Sequence, residues 1–159
     1  MARLIGGNVL MLRKLLAIAV VLAAFAEGAA ARDVAVVSAK GSPVQAVAMQ
    51  DLVKICSGKM TKWPDGRDIR IFLSDPAGPG MKLVIEKLFN ITGGDTRAAL
   101  QKIPGVKILN SDLDVVSAVP EVAGAIGFID VYSINGSVVV MKVEGKLPLE
   151  PGYVLHKSK

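Results

Sequence analysis

The chain has 159 residues, of which 52% are hydrophobic and 21% charged, and its formal net charge at neutral pH is +5. A chain of this length can bury a core without disulfides or metal ions. The basic residues are scattered singly or in pairs and only 4% of the residues are aromatic. A nucleic-acid-binding surface needs clustered positive charge and stacking side chains, so the composition argues against that class of protein.

The first 31 residues have the three parts of a secretory signal peptide. A short basic segment (11–14) precedes an apolar run (15–26), and small residues follow at 29–31. The apolar run is shorter than the about 20 residues that a membrane-spanning helix needs. This favours a cleaved signal over the alternative, an uncleaved anchor. We therefore expect a periplasmic or secreted protein that begins at Arg32 and is not inserted in the membrane.

A buried strand followed by an amphipathic helix is predicted at the start of the exported chain. Residues 33–38 form a β-branched run that is typical of a buried strand. Apolar side chains then recur with the spacing of one helix face, at Met49, Leu52, Val53 and Cys56. Gly58 is placed to cap the end of this helix. We expect Cys56, the only cysteine, to be a buried and unreactive thiol, with a reactive thiol as the alternative.

A strong turn signal, Trp63 to Gly66, precedes a second short strand at 69–73. We expect Trp63 to cover the edge of the core, and a tryptophan that binds a ligand is the alternative. A glycine- and proline-rich break at 75–80 then leads into a second amphipathic helix over residues 81–89.

The predicted elements of the second half are a helix at 98–100, a strand at 106–109, a helix at 111–119, and strands at 125–129 and 138–143. Asn135-Gly136 predicts a tight hairpin turn before the last strand. From Lys146 onward we expect irregular chain. Because strands alternate with helices, the sequence predicts one α/β domain over residues 32–159, in which a single sheet is flanked by helices.

Motifs for catalysis are missing from the sequence. It has no CxxC, HExxH or GxSxG pattern, and its carboxylates are not spaced as a pair or a metal cluster. The only histidine, His156, lies in the tail with no acid or nucleophile near it in sequence, so we expect it to be solvated. The interpretation is a non-catalytic protein without a cofactor or metal, and a hydrolase with an unrecognised motif is the alternative.

The turn from the second strand into the second helix is the candidate binding site. A helix N-terminus beside a strand end presents N–H groups to an anion, and glycines let the anion approach the backbone. The alternative is an ordinary turn. The candidate ligand-binding residues are Ser74, Asp75, Gly78, Gly80, Met81 and Lys82.

Three segments resemble the phosphate-binding proteins of ABC transporters. Residues 52–73 are similar to the family's helix that ends in Gly-Lys, its tryptophan turn and the strand that leads to the ligand loop. Residues 123–130 (AGAIGFID) resemble the returning Gly-Ala-Ile-Gly-Tyr segment, and 135–145 the hairpin after it. The resemblance implies a mixed sheet flanked by helices, as in one lobe of a type II periplasmic binding protein. It also implies phosphate or another oxyanion as the ligand, and a transporter or other exported protein as the partner.

The sequence departs from this family in two respects. The chain is long enough for little more than the second of the family's two lobes. The family's ligand loop is Asp-Gly-Ser-Gly-Thr after an arginine; here Leu73 stands for the arginine, Pro79 for the serine and Met81 for the threonine. These replacements imply a weakened anion site. The alternative function is a secreted protein-interaction domain that has kept the fold and lost the anion site.

Mass spectrometry of the exported protein tests the predicted cleavage. We expect a mature chain that begins at Arg32, because the signal-like segments end at Ala31. This holds whether translation begins at Met1 or Met11, which the sequence leaves open. A mass that retains residues 15–26 would contradict the prediction.

Overall fold

The computed structural model describes residues 32–157, so the predicted signal peptide lies outside the described residues. The strands are β1 (Val34–Ala39), β2 (Ala46–Val47), β3 (Arg70–Leu73), β4 (Val106–Ile108), β5 (Ala125–Asp130), β6 (Val138–Val140) and β7 (Lys142–Val143). The helices are α1 (Met49–Cys56), α2 (Pro79–Val84), α3 (Thr96–Gln101) and α4 (Asp112–Ala118). In this part of the chain, no helix is both long and apolar enough to cross a membrane.

The main sheet has five strands in the order β4-β3-β5-β1-β6. Strands β4, β3 and β5 run parallel to one another, whereas β1 is antiparallel to both of its neighbours, β5 and β6. The carboxyl ends of β4, β3 and β5 therefore meet at one edge, together with the amino end of β1. This mixed sheet with helices packed on it confirms the predicted fold class.

Strand β1 is buried on both faces. Val34 and Val36 belong to the core beneath α1 and α2, and Ala35 and Val37 belong to the core beneath α4. All four side chains are inaccessible to solvent. Because both faces are buried, the sequence of this strand is a continuous apolar run and does not alternate between apolar and polar residues.

The predicted hairpin turn at Asn135-Gly136 is wrong. Strands β5 and β6 do not pair with each other, because β1 lies between them. A helical turn at Val131–Ser133 leads away from β5, and the Asn135 side chain then accepts a hydrogen bond from the Ser137 N–H at 2.8 Å. The predicted last strand is also divided, because β7 leaves β1 and pairs in parallel with β2 in a separate two-stranded sheet.

Helix α2 begins two residues before the predicted start. Pro79 occupies its first turn, where a missing N–H costs nothing because that N–H has no helical acceptor. From Ile85 to Phe89 the helix widens into a π-helix, which ends at Asn90 with a left-handed φ of 54°. The continuous segment 79–89 includes the predicted helix 81–89.

The tail is irregular as predicted, but it packs against the domain. Tyr153 and Leu155 are buried, and the Val34 N–H donates to the Leu155 carbonyl at 2.9 Å. His156 is exposed, as expected. The expectation that no acid lies near it is wrong, because its Nδ1 lies 2.5 Å from Oδ1 of the buried Asp33. These two residues are 123 positions apart, and only the return of the tail to the start of β1 brings them together.

Trp63 and Cys56 lie where the sequence predicts. The Trp63 side chain is 5% exposed, and its Nε1–H donates to the Gly124 carbonyl at 2.9 Å. Gly124 has a φ of +77°, and a Cβ there would lie 2.2 Å from the Asp68 carbonyl oxygen, so only glycine fits beside the tryptophan. Cys56 is fully buried, and burial raises the pKa of its thiol, which keeps it protonated and unreactive.

Replacing Trp63 tests its role in the core. Trp63→Ala should lower the free energy of unfolding by about 3 kcal/mol, because it leaves a cavity and an unpaired carbonyl. Trp63→Phe is the matched control, since it keeps most of the buried area and loses the hydrogen bond at a cost of about 1 kcal/mol. Urea denaturation measures both. An unchanged stability of the alanine variant would contradict the packing role.

Candidate functional site

A cavity of about 240 Å³ lies at the edge where the parallel strands end. The loop between β3 and α2 lines one side, and the opposite side is formed by the start of α4, the end of β5 and Arg32, which precedes β1. Ligands of open α/β sheets bind outside the carboxyl ends of the strands. The position of this cavity therefore makes it the candidate binding site.

Four of the six predicted site residues line this cavity: Ser74, Gly78, Gly80 and Met81. The Met81 side chain is only 2% exposed and packs in the core, so it offers no polar group to a ligand. Leu73 is also fully buried in the core. An arginine at that position would bury its guanidinium, so restoring the family's arginine there would cost stability.

Asp75 and Lys82 do not line the cavity. The Asp75 carboxylate accepts a hydrogen bond from the Ala77 N–H at 3.1 Å and lies 3.7 Å from the Arg97 guanidinium. The Lys82 ammonium lies 4.0 Å from the Glu86 carboxylate, one turn along the same helix. Both side chains belong to the outer side of the loop and helix.

Several backbone N–H groups of the loop and of the first turn of α2 already donate hydrogen bonds within this segment. The Gly78 N–H donates to the Asp75 carbonyl at 2.9 Å, and the Met81 and Lys82 N–H groups both donate to the Gly78 carbonyl. Pro79 has no N–H. In the first turn of α2, the Gly80 N–H therefore has no backbone acceptor. A Cβ on Gly80 would lie 3.1 Å from Val34 Cγ2, so the glycine lets the helix pack closely on β1.

Five lining residues were not identified by sequence reasoning: Arg32, Asp112, Asp130, Tyr132 and Ser133. Arg32 Nη1 lies 3.4 Å from Asp130 Oδ2, and Arg32 Cζ lies 5.8 Å from the centre of the Tyr132 ring. The sequence held a signal for one of them, because Asp130 directly follows the predicted strand 125–129. Asp112 lies in the first turn of the helix that follows the predicted strand 106–109. Nothing local in the sequence points to Arg32, which reaches the site only because β1 is antiparallel to β5.

The cavity has mixed charge. Asp112 Oδ2 accepts hydrogen bonds from the Asp130 N–H at 2.8 Å and from the Ser133 hydroxyl at 3.1 Å, and Asp130 Oδ1 accepts from the Tyr132 N–H at 2.9 Å. The lining side chains thus carry the formal charges of two carboxylates and one guanidinium. Across residues 32–157, no three His, Cys, Asp or Glu side chains lie together as a metal site.

The fold is shared with solved proteins of phosphate transport. One similar structure is an ABC-type phosphate transport receptor from Vibrio cholerae, with 21% sequence identity and a TM-score of 0.68; the match covers 80% of this chain and 55% of the receptor. Another is PstS from Borrelia burgdorferi, with 15% identity and a TM-score of 0.66; the match covers 81% of this chain and 56% of PstS. A third is a substrate-binding protein of Clostridium perfringens, solved with bound phosphate. It has 20% sequence identity and a TM-score of 0.67, and the match covers 80% of this chain and 54% of that protein. No family model matches the sequence, and no curated protein matches it.

The chain spans about half the length of the solved structures that it matches. It therefore has the fold of about one lobe of a periplasmic binding protein, as the sequence resemblance implied. The fold of the chain is similar to that of proteins of phosphate ABC transport. These structural neighbours are transport proteins.

The hydrogen bonds of Asp112 organise one wall of the cavity, which a pair of variants can test. Asp112→Ala removes the acceptor of the Asp130 N–H and the Ser133 hydroxyl and should lower the free energy of unfolding by about 1–2 kcal/mol. Asp112→Asn also removes the charge but keeps an acceptor oxygen, so it should lower the free energy of unfolding clearly less. Equal losses in urea denaturation would show that the acceptor is unimportant.

Proposed function

We propose that the chain is an exported, non-catalytic binding protein that holds phosphate or another oxyanion in the cavity beside Arg32. The observation that carries this proposal is the cavity itself, which lies at the carboxyl ends of β3 and β5 between the loop 74–81 and a guanidinium. The likeness to phosphate receptors supports phosphate as the first ligand to test. The signal-like residues 1–31 support export.

The donors for an anion come from both sides of the cavity. Arg32 offers charge-assisted hydrogen bonds, Gly80 offers its N–H, and Ser74 offers a hydroxyl. Arg32 must turn from Asp130 toward the anion. This exchange costs little, because the 3.4 Å contact is longer than the about 2.7–2.9 Å of a strong charge-assisted bond and its arginine is half exposed.

Binding should nevertheless be weak. Asp112 and Asp130 oppose a phosphate dianion at this edge. A single lobe also leaves one side of the anion in water, so each hydrogen bond competes with hydration. We expect a dissociation constant for free phosphate of about a millimolar or weaker. Such a protein would serve phosphate uptake as an accessory that acts with a transporter or another exported protein.

Titration calorimetry of residues 32–159 with phosphate and sulfate tests the proposal. Asp130→Asn keeps the acceptor for the Tyr132 N–H and removes one negative charge, so it should strengthen phosphate binding by about three- to tenfold. Arg32→Gln should weaken binding by a similar factor. Both effects should shrink at high salt, because the site is open to solvent.

Lys82→Gln is the matched control, since it removes a positive charge from the same loop and helix without reaching the cavity. Its phosphate affinity should equal that of the unmodified chain. A loss as large as that of Arg32→Gln would show that the anion binds on the outer side of α2 and not in the cavity.

A secreted protein-interaction domain is the second candidate function. Two large exposed side chains favour it: Tyr132, which lines the cavity and is 73% exposed, and Leu113, which follows the lining residue Asp112 in the chain and is 66% exposed. Tyrosine is enriched at protein interfaces. If no oxyanion binds at concentrations of about 10 mM, this candidate replaces the first.

A further inference from the structure

We propose that the cavity takes a zwitterionic ligand, an oxyanion that carries an ammonium group a few atoms away. A small aminoalkyl phosphate or phosphonate has this chemistry. The inference rests on the proposed function and deepens it, because it names the class of oxyanion. The anionic group lies on the side of Ser74 and Gly80, and the ammonium group lies on the side of Asp112 and Asp130, which line the opposite wall.

The lining side chains carry more negative than positive charge. Two carboxylates, those of Asp112 and Asp130, accompany one guanidinium, that of Arg32. Arg32 Nη1 lies 3.4 Å from Asp130 Oδ2, so these two charges offset each other. No cation among residues 32–157 pairs with Asp112, whose Oδ2 accepts from the Asp130 N–H and the Ser133 hydroxyl. A plain dianion in the cavity leaves this negative charge uncompensated.

Binding of an anion by Arg32 increases the imbalance. The guanidinium must turn from Asp130 to the anion, and Asp130 then loses the cation that it contacts. The Asp130 side chain is 19% exposed, so water compensates its charge only in part. Oδ1 of Asp112 accepts no hydrogen bond within the described part of the chain. Both carboxylates are therefore available to an ammonium group on the ligand.

The other side of the cavity offers donors that lack a partner. Ser74 is 8% exposed and lines the cavity, and its hydroxyl makes no hydrogen bond with another group of residues 32–157. Buried polar groups are nearly always hydrogen-bonded, so this hydroxyl points to a ligand oxygen as its partner. The Gly80 N–H, in the same loop and helix turn, has no backbone acceptor. Both groups can donate to the oxygens of an anion.

The cavity has room for both groups of such a ligand. Its volume is about 240 Å³, whereas a single water molecule needs about 10–15 Å³. One tetrahedral oxyanion therefore leaves part of the cavity unfilled. The Tyr132 ring, whose centre lies 5.8 Å from Arg32 Cζ, offers a face to a cation once the guanidinium has turned to the anion.

The functional consequence is discrimination between oxyanions. The two carboxylates repel phosphate and sulfate, which carry no cation, and attract a ligand that brings its own ammonium group. Specific sites commonly combine attraction to the right ligand with repulsion of the wrong one. The weak binding expected for free phosphate then reflects rejection of the wrong ligand and not loss of the site.

Matched ligands test the inference on the chain 32–159. Titration calorimetry compares aminoethylphosphonate with ethylphosphonate, which lacks only the ammonium group, and aminopropylphosphonate with propylphosphonate, which repeat the comparison with a longer arm. The titrations are made at pH 8.5, where an alkylamine with a pKa near the about 10.4 of lysine is still protonated. Phosphoethanolamine and glycerophosphoethanolamine distinguish a free ligand from a lipid headgroup, because the second is the diester of a headgroup.

With at least one arm length, the aminoalkyl ligand should bind about three- to tenfold more tightly than its alkyl control, as expected for one added charge near two carboxylates. Asp130→Asn should weaken aminoalkylphosphonate binding and strengthen phosphate binding. A general disturbance of the fold would not change the two affinities in opposite directions. Asp114→Asn is the matched control, since it removes a carboxylate from the same helix as Asp112 that does not line the cavity. It should leave the preference unchanged.

Equal affinities of the aminoalkyl and alkyl ligands at both arm lengths would overturn the inference and leave the proposed function standing. A preference that both Asp130→Asn and Asp112→Asn leave unchanged would also overturn it, since the ammonium group would then lie outside the cavity. No binding of any of these oxyanions would contradict the proposed function as well. Where the preference is found, tighter binding of phosphoethanolamine supports a free ligand, and tighter binding of glycerophosphoethanolamine supports a lipid headgroup.

Discussion

Burial of β1 on both faces is the constraint on which the rest of the structure depends. Its four innermost side chains divide between two cores, so α1 and α2 must cover one face of the sheet and α4 the other. Strand β1 lies between β5 and β6 and runs antiparallel to both, against the direction of the parallel strands. That direction places its amino end, with Arg32 and Asp33, at the edge where β3 and β5 terminate.

The packing around β1 decides the chemistry of the cavity. Gly80 lies so close to Val34 that α2 can begin directly over the strand, and Leu73 and Met81 fill the core beneath it. These two positions, where the phosphate-binding proteins that the sequence resembles have an arginine and a hydroxyl, are therefore committed to hydrophobic burial. A charged contact to a ligand must then come from the opposite wall, where the one guanidinium, that of Arg32, is accompanied by two carboxylates.

The amino terminus of the domain is held by the tail as well as by the sheet. The buried Asp33 carboxylate accepts the Leu149 N–H and pairs with His156, while the Lys157 N–H donates to Arg32. An unpaired carboxylate at this depth would be costly, so the tail is needed to stabilise the start of β1. The same contacts hold the backbone of Arg32 beside the start of β1.

The sequence by itself determined many of the local elements and part of the lining of the candidate site. Apolar periodicity predicted β1 and α1, and the Gly-Pro break predicted the cavity loop, because burial and turn chemistry are recorded in neighbouring residues. Only the tertiary structure decided which strands pair, so the hairpin at 135–136 was wrong. It also decided the contacts of Arg32 with Asp130 and of Asp33 with His156, which join residues 98 and 123 positions apart. Such contacts depend on which segments of the chain pair with β1, and no local pattern in the sequence records that choice.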